Sequence, residues 1–196
     1  VAAEQSFASS GFHDVKMDDV ARACGVGKGT LYRYFPGKRE LYQALLLDGV
    51  DRLHADLRAE LARGTTPIRT LERMARCVLA HFWERRLSLP LLQPGERPTE
   101  GPEAAEWMRR RSELVSLLQR GFEEAITADQ IQAVDPRLTA ELLLGMLRGA
   151  TRFRAEDAQP ETALRAILDT LVCGVGTASG RRLASVRRLD GTGGEA

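Results

Sequence analysis

From Met17 to Leu41 the chain reads MDDVARACGVGKGTLYRYFPGKREL. It holds two short helical patterns around a glycine-marked turn, which is the layout of a helix-turn-helix. In the first pattern Val20, Ala21 and Ala23 set small apolar groups on one side. Asp18 and Asp19 stand in its first turn, where carboxylates suit the partial positive charge of a helix N-terminus. Gly25 is placed to end that helix in the left-handed conformation, and Val26 is the apolar residue left to pin the turn to the core. From Lys28 to Phe35 a second helix puts Leu31 and Phe35 one turn apart on an inward face, leaving Lys28, Thr30, Arg33 and Tyr34 on the others. Pro36 and Gly37 end it.

Charge points the same way. Between Gly25 and Arg39 stand Lys28, Arg33, Lys38 and Arg39 and no carboxylate, although the 196-residue chain carries a formal net charge of only +1. With Gly29 near its start, such a helix approaches a groove closely, and Thr30, Tyr32 and Tyr34 offer hydroxyls to phosphates or bases. A glycine-bounded pair of short helices also occurs in helical proteins that bind no DNA, and a cluster of cations also suits a solvated face. Spacing and charge alone leave both readings open.

The particular residues go further. From Gly11 to Leu41 the chain reads G-F-x-x-V-x-M-x-x-V-A-x-x-x-G-V-G-K-G-T-L-Y-R-Y-F-x-x-K-x-x-L. This closely resembles the DNA-binding domain of the tetracycline-repressor (TetR) family of bacterial transcription factors, most specifically over GKGTLYRYF with the following Lys38 and Leu41. The resemblance implies that Lys28 and Arg33 read bases or phosphates, that Thr30, Tyr32 and Tyr34 give hydroxyl contacts, that Gly29 allows close approach and that Lys38 anchors a phosphate. Two positions depart from the pattern. The family commonly caps the two helices of the motif with Ser or Thr, whereas Lys16 and Gly27 stand here. Gly27 is acceptable at that position and Lys16 is a poor cap.

Composition sets the bounds. With 43% apolar residues, few aromatics and no β-branched clusters, the chain suits an all-α protein, with no sheet required. No apolar run is long enough to span a membrane and no secretion signal is visible at the start, so a cytoplasmic protein is expected. Cys24, Cys77 and Cys173 are dispersed and form no CxxC pair, and His13, His54 and His81 sit at no metal-ligand spacing, so no disulfide, metal or cofactor is expected. There is no nucleophile elbow, phosphate loop or HExxH, and adjacent carboxylates such as Glu123 and Glu124 diverge by about 100° on a helix. An enzyme is not expected.

Outside the motif, Ala2, Ala3, Phe7 and Ala8 form a supporting first helix that Ser9, Ser10 and Gly11 break. It is short for the family, which leaves open a native start before Val1. A long helix from Lys38 carries Leu41, Leu45, Leu53, Leu57 and Leu61 to Gly64, joining two domains so that its tilt would move the recognition helix. Pro67 opens a helix with Leu71, Met74, Ala75, Val78, Leu79 and Phe82 on one face. A loop over 93–102 follows, then a helix from Glu103 to Ile126. Asp135 and Pro136 cap and open a helix to about Arg154, and the last helix runs from Glu161 to Gly176.

The expected organisation is a three-helix helix-turn-helix domain over residues 1–47, a helical ligand-binding and dimerisation domain over 48–178, and a disordered tail over 179–196. Met74, Cys77, Val78, His81, Phe82, Trp107, Met108 and Phe122 are the candidates to line an apolar effector cavity, although each is also an ordinary core residue. Arg73, Cys77 and His81 follow at one-turn steps, as a polar stripe in such a cavity or as a helix edge. Gly145 and Gly149, each costing about 1 kcal/mol inside a helix, call for a packing reason. With Leu142, Met146, Leu164, Leu168 and Leu171 they are the candidate dimer interface, unless they face a neighbouring helix of the same chain. The expected function is a homodimeric repressor that leaves a palindromic double-stranded operator when a small effector binds. A DNA-binding protein with a fully packed second core, or a ligand-binding helical protein whose N-terminal pair is only structural, are the alternatives.

Overall fold

The computed structural model describes residues 2–84, 102–153, 155, 157–175 and 177–178. The described residues fold into helices without strands: α1 (Ala2–Asp14), α2 (Met17–Ala23), α3 (Lys28–Tyr34), α4 (Lys38–Ala62), α5 (Pro67–Glu84), α6 (Pro102–Thr127), α7 (Pro136–Arg152) and α8 (Pro160–Val175). The all-α expectation holds. No helix among the described residues is long and apolar enough to cross a membrane. The expected loop over 93–102 lies outside the described residues up to residue 101, and so does the whole of the expected tail over 179–196.

The described residues group into two compact units, one drawn from 1–55 and 81–113 and the other from 56–80 and 114–196. In the first, α1 packs on α2 and α2 on α3, over a core of Phe7, Val15, Met17, Val20, Ala21, Leu31 and Leu41. The break expected at Ser9–Gly11 does not occur, and α1 runs on to Asp14. The continuation brings Phe12 to Tyr42, with ring centroids 5.1 Å apart, and to Phe7, which itself lies 5.3 Å from Tyr42. Aromatic pairs of this kind contribute about 0.5–1.5 kcal/mol each beyond area burial, enough to offset the cost of a helical glycine of about 1 kcal/mol.

The turn after α2 is held differently from the expectation. Val26 is 40% exposed, so its side chain does not pin the turn. The backbone does. Gly25 takes φ +67°, its N–H donates to the Arg22 carbonyl at 3.1 Å, and the Val26 N–H donates to the Ala21 carbonyl at 3.0 Å. These are the two hydrogen bonds of a Schellman ending, which needs a left-handed residue and no buried side chain.

In the second unit, Leu71, Met74, Ala75, Val78 and Leu79 of α5 share a core with Leu114, Leu118, Phe122 and Ala125 of α6 and with Leu143, Leu147, Leu164 and Leu168 of α7 and α8. Gly121 is where α5 and α6 come close, since a Cβ there would lie 2.8 Å from Leu71 Cδ2 and 3.2 Å from Met74 Sδ. Gln130, buried just beyond α6, uses its side-chain oxygen to accept the Ile68 N–H at 2.8 Å in the first turn of α5. Its own carbonyl accepts the Thr177 N–H at 3.2 Å. One residue thus satisfies an otherwise orphaned helix N-terminal donor and ties down the chain beyond α8. Asp135 caps α7 as expected, accepting the Leu138 N–H at 3.0 Å.

Candidate nucleic-acid interface

The interface is built by burying one side of a seven-residue helix. Leu31 is the buried residue of α3, so Lys28, Gly29, Thr30, Tyr32, Arg33 and Tyr34 are all left exposed. Phe35 caps the helix in extended conformation and is half-buried. Gly27 starts the helix by accepting the Leu31 N–H on its carbonyl at 3.1 Å, and neither Gly27 nor Lys16 supplies a side-chain cap. The first-turn N–H groups of both helices therefore receive no side-chain acceptor from their N-cap residues. A Cβ built on Gly29 would meet nothing within 4 Å, so this edge of α3 is open.

The cations differ in their surroundings. Lys28 Nζ donates to Asp18 Oδ2 at 2.8 Å across the motif and lies 5.8 Å from the Tyr32 ring centroid. The hydrogen bond to Asp18, with the charge of that carboxylate, holds the Lys28 ammonium above its ordinary range. Arg33 rests on Tyr34, its guanidinium carbon 5.1 Å from the ring centroid. Lys38, at the start of α4, donates to the His13 carbonyl at 2.7 Å and lies 4.9 Å over the Phe12 ring. Lys38 thus straps the last turn of α1 to α4, where a cation suits the negative helix end.

Two family models match this chain: "Bacterial regulatory proteins, tetR family" over residues 1–45 and "Tetracyclin repressor-like, C-terminal domain" over residues 64–157. The chain belongs to the tetR family of bacterial regulatory proteins. It is a DNA-binding, helix-turn-helix transcriptional regulator and not an enzyme. Among curated TetR relatives, the HTH-type transcriptional regulator UidR of Escherichia coli (strain K12) is 27% identical over 184 residues, 91% of each chain. The fold is shared with AibR, solved in complex with isovaleryl coenzyme A and operator DNA, at TM-score 0.69 and 20% identity over 86% of this chain and 93% of that one. It is shared too with the fatty acid degradation regulator FadR from Bacillus halodurans, at TM-score 0.72 and 20% identity over 88% and 95% of the two chains.

The other predicted residues of this TetR chain are distributed as follows. Met74, Val78 and Phe122 are buried and Cys77 half-buried in the second unit, and burial pushes the Cys77 thiol up. Phe82 and Trp107 are buried, His81 half-buried and Met108 exposed in the first unit. The Trp107 indole N–H is buried with no hydrogen-bond acceptor among the described residues. Arg73, read as part of a polar stripe, turns to Glu60 at 2.6 Å and to Thr65, holding the α4–α5 turn. A cleft of about 380 Å³ lined by Pro67, Arg120, Glu123, Glu124, Thr127 and Ala128 contains none of the aromatic candidates.

On α7, Leu138 is 57% and Leu142 56% exposed, and Phe153 beyond its end is 80% exposed. Gly145 is exposed, Met146 and Gly149 are half-buried, and a Cβ on either glycine would meet nothing within 4 Å. No helix of the described chain packs against these glycines. Leu164, Leu168 and Leu171 are buried in the chain's own unit, whereas Ala166, Thr170 and Cys173 lie on the exposed face of α8. Thr170 gives its hydroxyl to the Ala166 carbonyl at 2.8 Å.

Sequence reading missed the Asp18–Lys28 pair and the Lys38 strap. Neither has a local signal. The partners are ten and twenty-five positions apart and meet only once the turn and the α1–α4 packing exist.

Proposed function

We propose that the protein is a homodimeric repressor that binds a palindromic operator and leaves it when a small molecule binds the C-terminal domain. The observation that carries the DNA half is α3, where burial of Leu31 leaves a face of Lys28, Gly29, Thr30, Tyr32, Arg33 and Tyr34 with no carboxylate in the helix. In this reading Lys28 and Arg33 contact bases or phosphates, the hydroxyls contact the backbone and Lys38 contributes a phosphate contact beside its role at α1. Residues 1–47 form the DNA-binding domain, 48–178 the effector and dimerisation domain, and 179–196 a tail. The site of action makes it cytoplasmic.

Dimerisation follows from the reach of a short helix. One α3 spans few bases, whereas two related by a two-fold axis engage half-sites about 34–36 Å apart, or somewhat farther. The stripe of exposed Leu138, Leu142 and Gly145 and half-buried Met146 and Gly149 on α7, continued by exposed Phe153 at its end and with α8 beside it, is the surface proposed to pair.

The effector reading is supported by the match to the tetracycline-repressor-like C-terminal domain and by AibR, which carries isovaleryl coenzyme A and operator DNA on the same fold. Met74, Cys77, Val78, His81, Phe82, Trp107, Met108 and Phe122 are the residues proposed to meet an apolar or amphipathic ligand. Trp107 offers that ligand a buried donor. Release requires only that the ligand favour the state with mis-spaced recognition helices, by about 1–3 kcal/mol.

Selection of bound duplexes from a random pool tests the DNA half, and a palindromic consensus is expected. Fatty acids and acyl-coenzyme A thioesters are the first compounds to titrate, with Trp83 replaced by Phe so that Trp107 reports alone. A compound that releases DNA should change Trp107 fluorescence. Release that leaves this signal and the stability of the domain unchanged places the effector elsewhere.

A further inference from the structure

Among the described cations from Lys28 to Lys38, Lys28 is the one held by a carboxylate, since Arg33 lies on a ring and Lys38 on a carbonyl. Its partner Asp18 comes from the other helix of the motif, and both side chains remain more than half or half exposed, at 63% and 50%. The neighbouring acid, Asp19, faces Arg22 instead at 3.0 Å. Within the surface read above as DNA-facing, an anion therefore already occupies the position beside Lys28.

That anion treats the two kinds of DNA contact unequally. The lysine ammonium has three donors, and Asp18 takes one. A base-edge acceptor in the major groove is neutral, so Lys28 donates to it while keeping Asp18. A phosphate is anionic and is repelled by the carboxylate. To reach it, Lys28 must exchange one anion for another, and the ion release that drives backbone binding is forfeited at that contact.

We propose that Asp18 is a specificity-determining residue that competes with the DNA backbone for Lys28, suppressing non-specific binding while leaving the base contact intact. The proposal rests on the DNA-binding reading given above and adds to it a role for a residue that touches no DNA.

The test uses the full chain, a mixed-sequence duplex pool and a duplex enriched from that pool by the wild type. Asp18→Asn should bind mixed duplex roughly two- to five-fold more tightly, the span of an exposed ion pair. Its salt dependence should steepen by about 0.9 in log–log slope, one added phosphate contact. Affinity for the enriched duplex should stay within about twofold. Asp18→Glu should resemble wild type, and Asp19→Asn gives the effect of removing a nearby charge that Lys28 does not touch. In a Lys28→Ala background the Asp18→Asn gain should shrink to that of Asp19→Asn. Melting curves confirm that each variant is folded. An Asp18→Asn gain that is the same with and without Lys28, or a loss on both duplexes, overturns the proposal while leaving DNA binding in place. A wild type with no salt-dependent duplex binding removes the DNA-binding reading itself.

Discussion

Gly149→Leu separates the two reasons for a glycine in α7. In the chain by itself the substitution is benign, because a Cβ there meets nothing within 4 Å and Leu is the better helix former by about 0.8 kcal/mol. In a two-fold pair that uses this face, the same side chain enters the interface twice. Overpacking of about 1–3 kcal/mol at each copy gives a loss of about 2–6 kcal/mol. That is large beside what the stripe supplies. Burying the half-exposed Leu138 and Leu142 contributes about 1 kcal/mol each and Phe153 about 2, so two protomers gain about 8 kcal/mol before association costs. Loss of about 2–6 kcal/mol weakens dimerisation roughly 30- to 20,000-fold. Sedimentation equilibrium over a dilution series should therefore show a shift toward monomer, with loss of palindrome binding, while thermal melting of the dilute protein is unchanged or slightly higher. A folded Gly149→Leu protein that dimerises at wild-type concentrations and binds the palindrome would remove this glycine from the interface.

Other substitutions test individual contacts. Lys28→Ala should lower affinity for the selected duplex roughly ten- to a hundredfold and relax base preference, read by comparing selected and random DNA. Lys38→Ala should weaken all sequences alike and reduce the salt slope by about one; a fall in melting temperature with an unchanged slope would restrict Lys38 to its hold on His13 and Phe12. Gln130→Ala leaves the buried Ile68 N–H without its acceptor and should cost about 1–3 kcal/mol in urea unfolding, with Gln130→Glu losing less; an unchanged midpoint would refute the cap. The bidentate hydrogen bond from Arg110 holds the Asp51 carboxyl below its usual range. Its contribution is present above the unfolded carboxylate value of about 3.9 and is lost as pH falls through the lower folded value. The melting-temperature gap between wild type and Asp51→Asn should thus close in acid, and a gap independent of pH would show that Asp51 acts through something other than its charge.

What the sequence disclosed about this chain follows the range of the forces involved. Helix limits set by a proline, a glycine or a capping carboxylate are local, so Gly64, Pro67 and the Asp135–Pro136 pair marked their boundaries within a residue or two. The exposed face of α3 was equally legible, since a seven-residue helix with one buried leucine exposes the rest by geometry. Ser9–Gly11 misled because propensity is a small term, and the Phe7–Phe12–Tyr42 cluster that outweighs it joins two residues more than a turn apart on one helix to a residue of another. The glycines show the same limit. Gly145 and Gly149 stand out by their spacing, yet a Cβ on either would meet nothing within 4 Å among the described residues, while the solitary Gly121 is the one against which Leu71 and Met74 close. A spacing signals which face a residue shares, and only packing says what lies opposite. Asp18 is the sharpest case. Read along the chain it is an N-terminal carboxylate suited to a helix dipole, and that remains true. Folding adds a second role by carrying Lys28 to within 2.8 Å of it, so the charge that helps start α2 also governs how the following helix meets an anion.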